Sequence, residues 1–150
     1  MATPQAPTPI KIPDDLREAV NGALLSGNPV VVAYVDEEGQ PRLSFRGSTQ
    51  VYSEDQLAIW VRNPEGGLQR AIAKNPRVTL LFRSTEPRRM AIFYGRGHIE
   101  SSEDVRRRVY EGAPQPEQNA DRERKGLALI IDLDRVNGFG PGGVINMQRQ

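Results

Sequence analysis

The sequence predicts a mainly β fold, an antiparallel β-barrel with peripheral helices. Three observations point there. About six apolar, strand-like runs follow one another closely. The connections between them are short and rich in turn residues. Regular alternation of strand and helix, which a doubly wound parallel sheet needs, is missing. With 150 residues and no cysteine, the chain is long enough to bury a core without disulfides.

Residues 1–13, MATPQAPTPIKIP, place prolines where a signal peptide has its apolar stretch. They read as an untranslocated, disordered leader to one domain over 14–150. Asp14 and Asp15 then open an amphipathic helix with Leu16, Val20 and Leu24 on one face, closed by Gly27 and Pro29. The apolar run VVVAYV, 30–35, suits a strand buried on both sides, and DEEGQP turns it into a second strand, RLSFRGS, at 42–48. YSED marks the next turn, and QLAIWVR, 56–62, the third strand. NPEGG ends it, and LQRAIAKN forms a short helix that Pro76 terminates. Residues 77–84 and 90–100 read as two strands around the turn TEPRR, with Gly95 and Gly97 marking a bulge or a close backbone approach. The pattern Ser101-x-x-Asp104 caps a helix over 101–112. A polar, proline-bearing loop follows, then the sixth strand at 127–139, in which Leu127, Leu129, Ile131 and Leu133 alternate. A glycine-rich stretch leads to a short tail.

Composition excludes several classes of function. The 20 basic and 19 acidic residues nearly cancel, which gives no broad attraction to nucleic acid or to an anionic membrane. No run of 18 apolar residues is present. Without cysteine there is neither a thiolate metal site nor a thiol nucleophile, and one histidine is too few for a multi-histidine metal centre. These features fit a reducing cytoplasm, and no metal is expected.

The chemistry concentrates around RLSFRGS. Alternation in a strand puts Arg42, Ser44, Arg46 and Ser48 on one face and Leu43 and Phe45 on the other. Two neighbouring guanidiniums repel unless solvent, a carboxylate or an anion holds them. In a meander this strand would pair with 56–62, bringing Trp60 and Arg62 alongside, with Gln69 and Arg70 following in the short helix. Gly66 and Gly67 would let backbone amides approach a ligand. Such a pocket suits a phosphate gripped by Arg46, with Ser48 donating and Trp60 packing near an aromatic ring. The competing reading is a solvated sheet face on which these arginines pair with Glu37, Glu38, Glu54 or Glu65.

The segments EEGQPRLSFRGS, LAIWVR, LQRAIAKNPRVTLLFRS, MAIFYGRGHIE and GLALIIDLDRVNGF together resemble the pyridoxamine 5'-phosphate oxidase-like family of flavin-binding proteins. The resemblance covers about residues 14–140, and NPRVTLLF is its most telling piece. It implies a six-stranded Greek-key split barrel that forms a homodimer and binds FMN, or a deazaflavin coenzyme, in grooves between subunits. The cofactor-binding positions it implies are Arg42, Ser44, Arg46, Gly47 and Ser48, with Trp60, Val61 and Arg62 on the neighbouring strand. The family usually has basic residues, for the cofactor phosphate, where this chain has Gly67 and Leu68; Arg62, Gln69 and Arg70 are the nearby substitutes. The tail has Arg149 but no histidine beside it, unlike true vitamin B6 oxidases. The implied activity is oxidation or reduction of an unidentified small molecule by a bound flavin. The alternatives are a deazaflavin-dependent reductase and a non-catalytic flavin or heme binder, heme requiring His98 as its ligand.

Overall fold

The computed structural model describes residues 5–150. The elements run α1 (Asp14–Asn21), β1 (Val31–Val35), β2 (Pro41–Phe45), β3 (Gln50–Ser53), β4 (Gln56–Val61), α2 (Gly67–Lys74), β5 (Arg77–Thr85), β6 (Arg88–Glu100), α3 (Glu103–Gly112), α4 (Gln115–Asn119), β7 (Leu127–Gly140) and β8 (Gly143–Gln148). The eight strands form one sheet in the order β2-β1-β5-β6-β7-β4-β3, with β8 on β7, and every strand pair is antiparallel. The fold class is the one the sequence predicts. There are eight strands rather than six because RLSFRGS stops pairing at Phe45, residues 50–53 form a strand of their own, and the expected tail folds back as β8.

The two outermost strands of this order, β2 and β3, are joined by only four residues, Arg46–Thr49. The sheet must therefore curl until its edges meet at that link, which closes the barrel. The expected meander is corrected accordingly: β2 pairs with β1, whereas β4 pairs with β3 and β7.

The barrel is filled from alternate positions of its strands, including Val32, Leu57, Ile59, Leu80, Phe82, Phe93, Leu129, Ile131 and Leu133, all at or below 2% exposure. Leu16 and Val20 of α1 and Leu68 and Ile72 of α2 join this core, as their helical spacing predicts. A second cluster, Ala58, Trp60, Val109, Tyr110, Ala128 and Ile130, lies where α3 covers the outer side of β4 and β7. Ser102, one residue beyond the expected Ser101, caps α3 by accepting a hydrogen bond from the Val105 amide. Gly95 sits at a register shift, where a Cβ would stand 2.5 Å from the Asp132 carbonyl oxygen.

Two further expectations change. Residues 5–13, read as disordered leader, are ordered: Ile10 and Ile12 enter the core, and Thr8 bridges to Met147. Residues 1–4 lie outside the described residues. The run 30–35 is buried on one side within the chain, since Val32 is enclosed while Val31, Ala33 and Val35 remain partly open. None of the described helices is long and apolar enough to cross a membrane.

Candidate ligand-binding site

The link between β2 and β3 forms one lip of a cavity of about 580 Å³. Arg46, Gly47 and Ser48 line it from the link, Trp60 and Arg62 from the end of β4, and Glu117, Asp121 and Lys125 from α4 and the turn after it. Its volume falls in the range typical of small-molecule sites.

Ser48 explains how the link is held. Counting back from the pairing of Gln50 with Ala58, Ser48 stands opposite Trp60. Instead of a ladder, the Ser48 hydroxyl donates to the Trp60 carbonyl at 2.9 Å and accepts from the Trp60 amide at 2.9 Å. Ser48 is 2% exposed. Both functions of the hydroxyl are spent on closing the barrel, so the expected hydrogen bond from Ser48 to a ligand has no donor.

Trp60 is also built in. Its indole Nε1–H donates to Asp121 at 2.8 Å, Tyr110 meets its ring edge-on at a centroid distance of 5.2 Å, and the Arg106 guanidinium lies over it. At 3% exposure it forms the floor of the cavity rather than an open stacking surface. Asp121 also accepts from the Lys125 and Gly126 amides. Burial alone would raise its pKa, but the indole, the two amides and nearby Arg106 outweigh that, and the net value lies below the usual carboxylate range.

Arg46 differs from the other arginines of the set. It is partly buried, and its Nε donates to Ser44 Oγ at 3.0 Å, but it pairs with no carboxylate among the described residues. Burial pulls its pKa down, neighbouring Arg62 adds to that, and Tyr34 and Glu117 oppose it. The guanidinium stays charged at neutral pH. Arg62, also on the cavity wall, faces Glu117 at 3.5 Å.

The remaining expected site residues lie elsewhere. Arg42 is bound to Asp36 at 2.9 Å and Arg70 faces Glu37 at 3.4 Å, both in a second recess against the 36–38 turn. The paired-face reading thus describes these two arginines, Arg70 with the expected Glu37 and Arg42 with Asp36 in place of an expected glutamate. Gln69 donates to the Asn63 carbonyl at 2.7 Å and bears on the loop, while its buried Oε1 has no partner. Val61 points into the barrel core and is 2% exposed. Leu68, at a position the family resemblance associates with a lysine, is likewise a core residue of α2. His98 stands outside the cavity with its ring nitrogens 3.0 Å from Glu100 and 3.2 Å from Asp132. No group of three or more metal-ligating side chains is arranged for an ion among the described residues.

Glu117, Asp121 and Lys125 were not singled out from the sequence. The signal was the i, i+4 spacing of Glu117 and Asp121 in a segment read as loop, which puts both carboxylates on one side of a helical turn. Pro116 at the start of α4 is compatible with a helix there, because the first turn needs no amide donor.

The family model for pyridoxamine 5'-phosphate oxidase matches residues 16–133. The chain belongs to this family. Solved structures agree in fold. HupZ of Group A Streptococcus superposes with a TM-score of 0.69 at 17% identity, covering 89% of this chain and 98% of that one. A Clostridium acetobutylicum protein related to general stress protein 26, of the pyridoxinephosphate oxidase family, gives 0.64 at 13% identity, covering 91% and 96%. An FMN-binding protein of Syntrophomonas wolfei gives 0.62 at 8% identity, covering 83% and 86%. None of the curated proteins compared with the chain matches it.

Proposed function

We propose that the protein binds FMN in the Arg46 cavity, completed by a second copy of the chain, and acts as an oxidoreductase on a small molecule. The observation that carries this reading is Arg46: a partly buried guanidinium with no carboxylate partner, on the wall of a cavity large enough for part of a nucleotide-sized ligand. Guanidiniums grip phosphates bidentately, and a cation left unpaired in a partly dry site favours an anion there. The alternative cations, Arg42 and Arg70, lie in a separate recess, each facing a carboxylate of the 36–38 turn. The phosphate end of the ligand is therefore assigned to Arg46 and Arg62 rather than to α2.

The second copy is argued from the outer face of the sheet. Registered pairing lines up Phe45, Val31, Leu81 and Ile92 in one row and Leu43, Ala33, Thr79 and Tyr94 in the next. Leu43 is 75% exposed and Phe45 is 70% exposed. A continuous apolar face of this kind is covered in a stable protein. Phe45 belongs both to this face and to the cavity wall, so a subunit docked on the face also walls the cavity.

When bound, the flavin supplies the hydride or electron transfer. The chain's own contribution is position and charge. Arg46 and Arg62 hold the phosphate, Gly47 lets it approach the link, and Trp60 and Asp121 keep the cavity floor rigid. Heme finds less support, because His98 is engaged by two carboxylates away from the cavity.

The test is FMN titration of the purified protein, followed in the visible spectrum, with deazaflavin coenzyme in parallel. Saturable FMN binding is expected, weakened roughly ten- to a hundredfold in Arg46→Ala, the worth of a charge-assisted hydrogen-bond pair. Binding that Arg46→Ala leaves intact, or no binding of either flavin, would overturn the reading.

A further inference from the structure

The cavity contains two carboxylates in contrasting states. Asp121 is satisfied by the Trp60 indole and two amides. Glu117 is 16% exposed, and its carboxylate accepts no hydrogen bond from a described residue; its one charged partner is Arg62, 3.5 Å away. A partly buried carboxylate so weakly partnered carries a desolvation cost, and a cation field offsets it. That field is supplied by Arg62 and by Arg46, whose charge Glu117 also supports.

Gly47 shows that the link makes room for this carboxylate. A Cβ at Gly47 would stand 2.5 Å from Glu117 Oε1 and 3.1 Å from the Leu24 side chain. The backbone of the anion-facing link and the Glu117 head group are thus in direct approach. The element that carries Glu117 is light: α4 has five residues and none is buried. Its tether is Gln118, which donates to the Ala113 carbonyl at 2.9 Å and accepts the Tyr110 hydroxyl on its own carbonyl at 2.9 Å.

We propose that Glu117 is a built-in counter-ion that holds the anion position against Arg62, beside the unpaired Arg46, and has to move aside before a ligand's phosphate binds. This rests on the reading that the cavity takes a phosphate-bearing flavin. A monoester phosphate carries nearly twice the charge of a carboxylate and three acceptor oxygens, so it displaces Glu117. A neutral ligand gains nothing from the displacement. Glu117 therefore sets the affinity for the anion: a phosphate engages the guanidiniums only by outcompeting it, and binding of an uncharged ligand does not depend on its charge.

The experiment compares wild type with Glu117→Gln, which keeps the shape against Gly47 and removes the charge; a thermal melt establishes that the variant is folded. FMN and riboflavin are titrated by absorbance, and inorganic phosphate by the NMR shift of the Trp60 indole N–H, the chain's single indole. The expected result is that Glu117→Gln binds FMN and inorganic phosphate about three- to tenfold more tightly, the scale of a partly exposed ion pair, with riboflavin unchanged. If FMN binds wild type and the variant equally, the counter-ion role is overturned while the flavin assignment stands. If neither protein binds flavin but phosphate affinity rises in the variant, the counter-ion role stands and the flavin assignment fails. If phosphate affinity is the same in both proteins, or phosphate binds neither, the counter-ion role is overturned.

Discussion

Three donors converge on Asp121, and the sign of its pKa shift says what they do for stability. A carboxylate held below its unfolded value stabilises the fold fully above the ordinary carboxylate range, and that contribution is lost as pH falls through the folded value. Asp121→Asn is expected to lower stability at neutral pH by about 1–2 kcal/mol, the scale of a buried hydrogen-bond loss, with a red-shifted Trp60 emission. The gap from wild type should begin to narrow below about pH 4, where the unfolded carboxylate starts to take up a proton, and narrow further as pH falls toward the lower folded value. Urea unfolding at pH 7 and pH 3 measures both. At this scale the sequence was informative where chemistry is intrinsic to a side chain: two guanidiniums close together in one short stretch singled out Arg46, which the structure places on the cavity wall without a carboxylate partner among the described residues. Trp60 and Ser48 were not, since nothing local shows that one indole is claimed by Asp121, 61 residues away, and one hydroxyl by the opposite strand.

The elements themselves were mostly legible, and the link between β2 and β3 shows why one of them was not. Polar and apolar residues keep alternating through Arg46, Gly47 and Ser48, so periodicity cannot tell a strand from a turn that happens to continue the pattern. Hydrogen-bond partners across the barrel decide it, and these are non-local. Because Ser48 replaces two ladder bonds, Ser48→Ala is expected to cost about 1–3 kcal/mol in urea unfolding, leaving the buried Trp60 amide and carbonyl without partners. Position 95 is governed by backbone approach instead. Gly95→Ala should destabilise comparably or more, since its Cβ would stand 2.5 Å from the Asp132 carbonyl oxygen across the bulge. The last strand, β8, escaped notice because its glycine-rich lead-in reads as a chain end, while its pairing with β7 and the Thr8 segment is visible only in three dimensions.

For the whole molecule, the decisive feature is the uncovered face formed by β2, β1, β5 and β6. Phe45→Glu puts a charge on its β2 edge and at the cavity wall together. The expected outcome is a shift from dimer to monomer in sedimentation at micromolar concentration, accompanied by loss of FMN affinity. A wild-type protein that sediments as a monomer, or a Phe45→Glu variant that stays dimeric, would count against the second copy. The apolar run VVVAYV predicts burial on both sides, whereas the chain itself covers only one; periodicity could not show this, because burial by a partner and burial by the chain leave the same pattern in sequence. The four-residue seam of the barrel carries one further consequence. Two of its amides are locked, by the Arg46 bond to Val30 at 2.9 Å and the Thr49 bond back to Arg46 at 3.1 Å, and Arg46, Gly47 and Ser48 of the seam border the cavity. Parting the seam destroys the cavity, so any occupant is also a clasp: at a hundredfold excess over its dissociation constant it adds about 2.7 kcal/mol against opening. Deuterium uptake at these two amides would then slow by roughly a hundredfold on saturation, making solvent exchange at the seam a direct gauge of how full the cavity is.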